Sequence, residues 1–173
     1  TWDADAAEKE GYEHFMLKEI YEQPKTINDT ISPRIKDNDI VIEELNMSDE
    51  EIQEITKIHI VACGSAYHTG VTAKYVIEGL ARIPVEVDVA SEFRYRDPIL
   101  QKGNMVIVIS QSGETADTLA ALRESKEKGF KVLGIVNVVG SSIAREADSV
   151  MYTWAGPEIA VATTKAYSAQ LTA

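Results

Sequence analysis

Cysteine is nearly absent from this chain: Cys63 is the single one among 173 residues, so no internal disulfide bond can form. No run of 18 apolar residues occurs, and the acidic N-terminal segment lacks the apolar core of a signal peptide. Positive charge is also scarce, because 17 Lys and Arg oppose 28 Asp and Glu and give a net charge of −11. These absences predict a protein of the reducing cytoplasm whose partners include neither a membrane nor nucleic acid.

Several familiar active-site motifs are missing as well. The first predicted strand is not followed by GxGxxG, and no GxxxxGK[ST] occurs, which disfavours dinucleotide binding and a Walker-type NTPase. Ser112 does not lie in a GxSxG motif, which disfavours the nucleophile elbow of an α/β-hydrolase. No His, Cys, Asp or Glu cluster has the spacing of metal ligands. The sequence therefore predicts no cofactor and no metal site.

The chain does contain a regular alternation of strand and helix patterns from residue 57 onward. Strands are predicted at KIHIVACG, PVEVDVA, NMVIVIS, KVLGIVNV and SVMYTW, with helical patterns between them and a final helix over GPEIAVATTKAYSAQL. Near-continuous apolar strands that alternate with helices indicate a parallel sheet covered on both faces. We therefore expect a three-layer α-β-α sandwich with a five-stranded parallel sheet, of flavodoxin-like or Rossmann-like type, over residues 57–173.

Residues 1–56 predict a separate helical lead-in. An apolar stripe at helical spacing comprises Tyr12, Phe15, Met16 and Ile20. Pro24 is expected to stop this helix, and a second helical stretch is expected around residues 25–35. Ser48 and Glu51 match a capping box at the start of a short helix. The chain starts without methionine and stops inside a helical pattern, so we expect a piece of a longer protein.

Small and polar residues follow three of the predicted strands, where ligands bind in open α/β sheets. They are Cys63-Gly64-Ser65-Ala66, the SQSGET segment of residues 110–115, and NVVGSS of residues 137–142. Helix N-termini offer free N–H groups and a partial positive charge, and they suit phosphate. Ser110, Gln111, Ser112 and Thr115 thus predict an anion cradle of neutral donors. The alternative is that these residues are ordinary helix caps and turns.

The same segments resemble a known family. ISQSGETADTLAALRESKEKG, ASEFRYRDP, GSSIAREAD and AGPEIAVATTKAYSAQLT are similar to the sugar isomerase (SIS) domains, which bind phosphosugars on an α/β fold. The leader AAEKEGYEHFMLKEIYEQP narrows the resemblance to the isomerase half of the glutamine–fructose-6-phosphate aminotransferases, also called glucosamine-6-phosphate synthases. The resemblance implies that this is the first of two SIS domains, that residues 1–56 lead in from a glutaminase domain, and that the parent protein is a homodimer.

The resemblance also implies roles for particular residues. Ser110, Gln111, Ser112 and Thr115 would hold the phosphate of fructose 6-phosphate or glucosamine 6-phosphate. The sugar would lie along Cys63, Gly64 and Ser65, with a backbone contact to Val138. No catalytic residue is expected within the chain, and Lys165 is expected to serve packing. Ala66 stands where many relatives have serine. Two other readings remain open, a phosphosugar-sensing regulatory module and a purely structural dimerisation unit.

Overall fold

The fold is described from a computed structural model, which covers residues 8–173. The strands are β1 (Ile35–Lys36), β2 (Asp39–Ile40), β3 (Lys57–Ala62), β4 (Val85–Val89), β5 (Asn104–Ser110), β6 (Val132–Val136) and β7 (Ser149–Tyr152). The helices are α1 (Phe15–Ile31), α2 (Asp49–Gln53), α3 (Gly64–Leu80), α4 (Ala90–Arg96), α5 (Ala116–Glu127), α6 (Ser142–Glu146) and α7 (Lys165–Thr172). Among residues 8–173, no helix combines the length and apolar character needed to cross a bilayer.

Strands β3 to β7 form one parallel sheet in the order β4-β3-β5-β6-β7. In its central register, Ile60 of β3 lies opposite Val87 on one side and Ile107 on the other. Counted from β3, this order is 2-1-3-4-5, the flavodoxin-like arrangement, whose switch point falls between the first and third strands. The predicted five-stranded parallel sandwich is confirmed, and its switch point lies between β3 and β5.

Two apolar layers cover opposite faces of this sheet. On one face, residues such as Ile60 and Leu133 pack with Ala66 of α3. On the other face, Phe93 of α4 and Leu122 of α5 are fully buried against the valines of β5 and β6. Burying a side chain of this size contributes about 1.5–3 kcal/mol. The strands therefore read as continuous apolar segments because neither face of the sheet meets water.

The N-terminal helix corrects one expectation, because α1 runs through Pro24 to Ile31. A proline inside a helix has no N–H to donate to the carbonyl four residues earlier, here that of Ile20. The side chain of Gln23 donates to this carbonyl instead, with Nε2 3.0 Å from the oxygen. The substitute hydrogen bond satisfies the orphaned acceptor. The second helical stretch expected around residues 25–35 is thus the continuation of α1.

The buried face of α1 is polar and its apolar side chains face outward. Met16 and Ile20 of the predicted stripe are 44% and 39% exposed. Lys18, Glu19, Thr26 and Thr30 are buried instead. The apolar stripe is therefore not part of the core, and the helix is attached to the domain by hydrogen bonds and ion pairs.

Two further local expectations can be compared with the structure. The capping box at the start of α2 is confirmed, since Ser48 Oγ accepts from the Glu51 amide and Glu51 accepts from the Ser48 amide. The final helix is shorter than expected and begins at Lys165, after an irregular loop over residues 153–164. The small antiparallel hairpin of β1 and β2 was not expected.

Candidate functional site

The polar strand ends meet at the switch point of the sheet. There, a cavity of about 150 Å³ opens beyond the carboxyl ends of β3 and β5. Six of the residues predicted for the site line it, namely Cys63, Ser65, Ser110, Gln111, Ser112 and Thr115. The other lining residues are Ala66, Ile109, Thr163 and Gln170. The cavity is smaller than the roughly 300–1,000 Å³ of a typical ligand pocket, so it fits a phosphate and part of a sugar.

Internal hydrogen bonds fix the shape of the SQSGET loop. Ser110 is 3% exposed, and its Oγ accepts from the Gly113 amide at 3.0 Å. The same hydroxyl lies 3.0 Å from Thr115 Oγ1. Ser112 Oγ accepts from the Glu114 amide at 3.2 Å. The loop is thus held by its own hydroxyl groups, before any ligand binds.

Helix N-termini converge on this cavity without using its side chains as caps. Cys63 is the N-cap of α3 and Thr115 is the N-cap of α5, and neither side chain accepts a capping hydrogen bond. Ser141, the N-cap of α6, also makes none. Thr118 Oγ1 approaches Cys63 Sγ at 3.8 Å and links the first turns of α5 and α3. Helix capping therefore does not account for Cys63 and Thr115, whereas Ser110 and Ser112 do make hydrogen bonds within the turn. The first N–H groups of α3 and α5 remain open to an anion.

The carboxylates within and just after the SQSGET loop are bonded to groups outside the cavity. Glu114 Oε1 accepts from the Ser142 amide at 2.7 Å, and these hydrogen bonds lower the pKa of Glu114. Asp117 in the first turn of α5 forms an ion pair with Arg94 at 3.3 Å. The residues that line the cavity are all neutral. An anion placed there would consequently meet helix N-termini and hydroxyl groups, and no negatively charged side chain on the lining would repel it.

Two predicted residues do not line the cavity, and four lining residues lie outside the predicted set, two of them from distant parts of the chain. Gly64 is exposed at the start of α3, between two lining residues, and Val138 lies beyond the end of β6. Thr163 and Gln170 reach the cavity from the loop before α7 and from α7 itself. Periodicity placed residue 163 inside a helix, so it carried no signal of a site. The Gln170 side chain is further held by Thr69, at 3.2 Å.

A second cavity, of about 260 Å³, lies on one face of the sheet between α3 and α7. Its lining is mostly aliphatic and includes Ile77, Ile107 and Met151. It shares Ile109 and Gln170 with the smaller cavity but extends along the aliphatic face of the sheet, and it offers few hydrogen-bond donors. The smaller polar cavity is therefore the candidate site, since ligand sites in open α/β sheets lie beyond the strand ends.

One group of potential metal ligands was not foreseen, since it joins neighbouring strands. His59 of β3 and Glu86 and Asp88 of β4 bring ligand atoms within 4.8 Å of one another. Lys57 Nζ lies 2.6 Å from Glu86, and Arg96 lies 2.5 Å from Glu86 and 2.6 Å from Asp88. These two cations balance both carboxylates, so we interpret the group as an ion-pair cluster. Burial, assisted by the Lys57 charge, lowers the pKa of His59.

Lys165 is buried at the start of α7 and is paired rather than free. Its Nζ lies 2.6 Å from Glu22 Oε2 on α1, and the residue is not among those that line the candidate cavity. This geometry agrees with the expectation that Lys165 serves packing.

This chain is similar in sequence and structure to known proteins. Glutamine–fructose-6-phosphate aminotransferases (isomerizing) are 66% identical over 100% of this chain in Clostridium tetani and 67% over 98% in Clostridium acetobutylicum. The chain spans only 29% and 28% of the length of these curated relatives. The C-terminal domain of glucosamine-fructose-6-phosphate aminotransferase from Francisella tularensis superposes with a TM-score of 0.89 and 47% identity, covering 95% of this chain and 46% of that one.

A more distant neighbour shows how widely the fold is shared. The sugar isomerase domain of the RpiR transcription factor from Sphaerobacter thermophilus has a TM-score of 0.63 at 18% identity, over 91% of this chain and 83% of that one. At this identity the likeness concerns the fold alone. The SIS domain model matches residues 51–173. Since that match covers most of its length, the chain belongs to the SIS domain family.

Proposed function

We propose that this chain is the phosphosugar-binding part of a glutamine–fructose-6-phosphate aminotransferase that makes glucosamine 6-phosphate from fructose 6-phosphate and glutamine. The observation that carries the proposal is the neutral, hydroxyl-lined cavity at the switch point, where the N-termini of α3 and α5 converge. The curated relatives named for this reaction at 66–67% identity support it. The regulatory alternative rests on fold alone, because the RpiR neighbour is 18% identical.

In this proposal, the phosphate lies in the SQSGET loop. Ser110, Gln111, Ser112 and Thr115 donate to its oxygens, together with the first amides of α5. The sugar lies along Cys63, Gly64 and Ser65, and the backbone of Val138 contacts it. The phosphate thereby fixes the distance of the reacting carbons from the loop.

The chain contributes orientation rather than chemistry to the proposed reaction. In the parent enzyme, ammonia would condense with the C2 carbonyl of the open-chain ketose to give an imine and water. A base would then move a proton from C1 to C2, which leaves an amine at C2 and an aldehyde at C1. Holding the sugar phosphate in one geometry removes much of the entropic cost of that reaction. We place the catalytic groups in other parts of the parent protein: a second SIS domain and a glutaminase domain that residues 1–56 would join. Homodimerisation and a cytoplasmic location complete the proposal.

The proposal is tested by a thermal-shift titration of the 173-residue chain. Fructose 6-phosphate and glucosamine 6-phosphate should raise its stability, by roughly 2.7 kcal/mol at a hundred times the dissociation constant. Fructose and inorganic phosphate serve as ligand controls. The shift should be lost in Ser112→Ala and Thr115→Ala. It should be kept in Thr72→Ala, which removes an exposed hydroxyl of α3 that bonds to the His68 carbonyl and lies 3.4 Å from Tyr167 Oη, outside the cavity.

A folded chain that shows no shift up to about 10 mM of either phosphosugar has an affinity weaker than roughly that concentration. Independent binding by this chain would then be refuted. A shift that survives in both Ser112→Ala and Thr115→Ala would refute the placement of the phosphate.

A further inference from the structure

The loop of residues 153–164 is irregular, yet side chains within it and from distant positions satisfy much of its backbone. At its start, Asn137 accepts from the Ala155 amide at 2.8 Å and donates to the Gly156 carbonyl at 2.7 Å. At its end, Glu158 accepts from the amides of Thr164, at 2.8 Å, and of Ala166, at 3.2 Å. Long loops of this kind are commonly functional. This one brings Thr163 to the candidate cavity.

The middle of the loop is held by a residue of α1. Glu19 is 2% exposed, and its Oε1 accepts from the amides of Ile159, at 2.6 Å, and Ala160, at 3.1 Å. Its Oε2 lies 3.5 Å from Thr164 Oγ1. The two amides are 140 and 141 residues from Glu19 in sequence. Thr163 lies between the bonded residues, so its place at the cavity depends on these contacts.

Glu19 has no other strong partner in the part of the chain described by the structure. It forms no ion pair there, whereas its helix neighbours Lys18 and Glu22 both do. A buried carboxylate is tolerated only when hydrogen-bond donors replace its lost hydration. The loop amides supply those donors, so displacement of the loop would leave the charge buried and unpaired. Each element therefore keeps the other in place.

We propose that Glu19 is a positioning residue of the phosphosugar pocket. Its carboxylate holds residues 159–164 so that Thr163 faces the ligand. Glu19 precedes residues 51–173, the part matched by the SIS domain model, so the pocket is completed by a helix outside that match. The Thr163 hydroxyl makes no hydrogen bond to any other residue among 8–173 and is available to a phosphate or sugar oxygen. The ligand part of this inference rests on the proposed function.

Amide hydrogen exchange of the free chain tests the loop contact without any ligand. In Glu19→Ala, protection of the Ile159 and Ala160 amides should fall at least tenfold, and the order parameter of Thr163 should drop. The Ala155 amide, held by Asn137, is the internal control and should change little. Unchanged exchange at residues 159 and 160 would overturn the proposal.

Two other variants keep the test decisive. Glu19→Gln preserves the side-chain size and should lower the protection of the same amides by a smaller factor. It replaces Glu19→Ala as the test variant if that variant fails to fold. Asp29→Asn removes a charge from the exposed side of α1, where Asp29 pairs with Lys25, and should leave exchange in the loop unchanged. An equal loss of loop protection in Asp29→Asn would show that α1 acts only through general stability.

Binding then links the loop to the pocket. Glu19→Ala and Thr163→Ala should each weaken fructose 6-phosphate binding by about three- to tenfold, the loss expected for one hydrogen bond. Their effects should not add in the double variant, because Glu19 acts through Thr163. Normal affinity in a Glu19→Ala chain with a loosened loop would overturn the positioning role. Absence of binding in the wild-type chain would refute its independent binding, and the exchange and order-parameter data would still decide whether Glu19 positions Thr163.

Discussion

Replacement of Gly113 by alanine should be among the most damaging single-methyl changes in this chain. Gly113 has φ +67°, a left-handed conformation that costs a residue with a Cβ about 1–2 kcal/mol. An added Cβ would lie 2.1 Å from Ser141 Oγ and 2.5 Å from Ser141 Cβ. Overpacking of this kind costs about 1–3 kcal/mol more. We therefore expect Gly113→Ala to lower the free energy of unfolding by about 2–5 kcal/mol.

A matched control separates the two contributions. Gly129, just after α5, has φ +83° and no atom within 4 Å of an added Cβ. Gly129→Ala should therefore show the backbone cost alone, about 1–2 kcal/mol. Ser141→Gly removes both atoms that the new methyl group would meet, and it forfeits no side-chain capping hydrogen bond. Combined with Gly113→Ala, it should recover about 1–3 kcal/mol.

Urea unfolding followed by circular dichroism measures the free energy of unfolding of the wild type, the three single variants and the double variant. If Gly113→Ala and Gly129→Ala agree within about 0.5 kcal/mol, the contact with Ser141 imposes no cost and the packing argument is wrong. Additive effects of Gly113→Ala and Ser141→Gly would lead to the same conclusion. Because Gly113 lies within the SQSGET loop, Gly113→Ala should also weaken phosphosugar binding.

Two further predictions concern stability. Ser48→Ala removes the capping box of α2 and should cost about 1 kcal/mol in urea unfolding, and a change below about 0.3 kcal/mol would contradict it. Burial lowers the pKa of His59 in the folded state. As the pH falls below the ordinary histidine pKa of about 6.5, the unfolded state therefore takes up the proton first, and the free energy of unfolding decreases. Between pH 7.5 and 5.5, wild type should therefore lose more stability than His59→Gln, and parallel profiles would refute this.

The sheet could be predicted from the sequence because its strands are buried on both faces. Residues such as Val61, Val106 and Val108 give short apolar runs that require no knowledge of their partners. The path of α1 could not be predicted in the same way. Proline normally ends a helix, and the compensating hydrogen bond from Gln23 to the Ile20 carbonyl depends on a side-chain conformation that periodicity does not contain.

The candidate site was foreseen where it depends on topology and missed where it depends on distant contacts. Polar residues after neighbouring parallel strands must meet at one edge of the sheet, and six of the eight predicted residues line the cavity. Residues around Ile159 read as a helix from their composition. In the structure, their amides bind Glu19, more than a hundred positions away, and the segment stays irregular. Thr163 could not be found without that contact.

Hydroxyl groups can donate or accept, and this determines how the pocket treats the ionisation of a phosphate ester. The second pKa of such an ester lies near 6, so a phosphosugar occurs as both monoanion and dianion close to neutral pH. A lysine ammonium has only donors and has no acceptor for the extra proton of the monoanion. The hydroxyls of Ser110, Ser112 and Thr115 can rotate to receive that proton or to donate to the dianion. In the proposed binding mode, a lining without cations would thus make the pocket tolerant of the protonation state of its ligand.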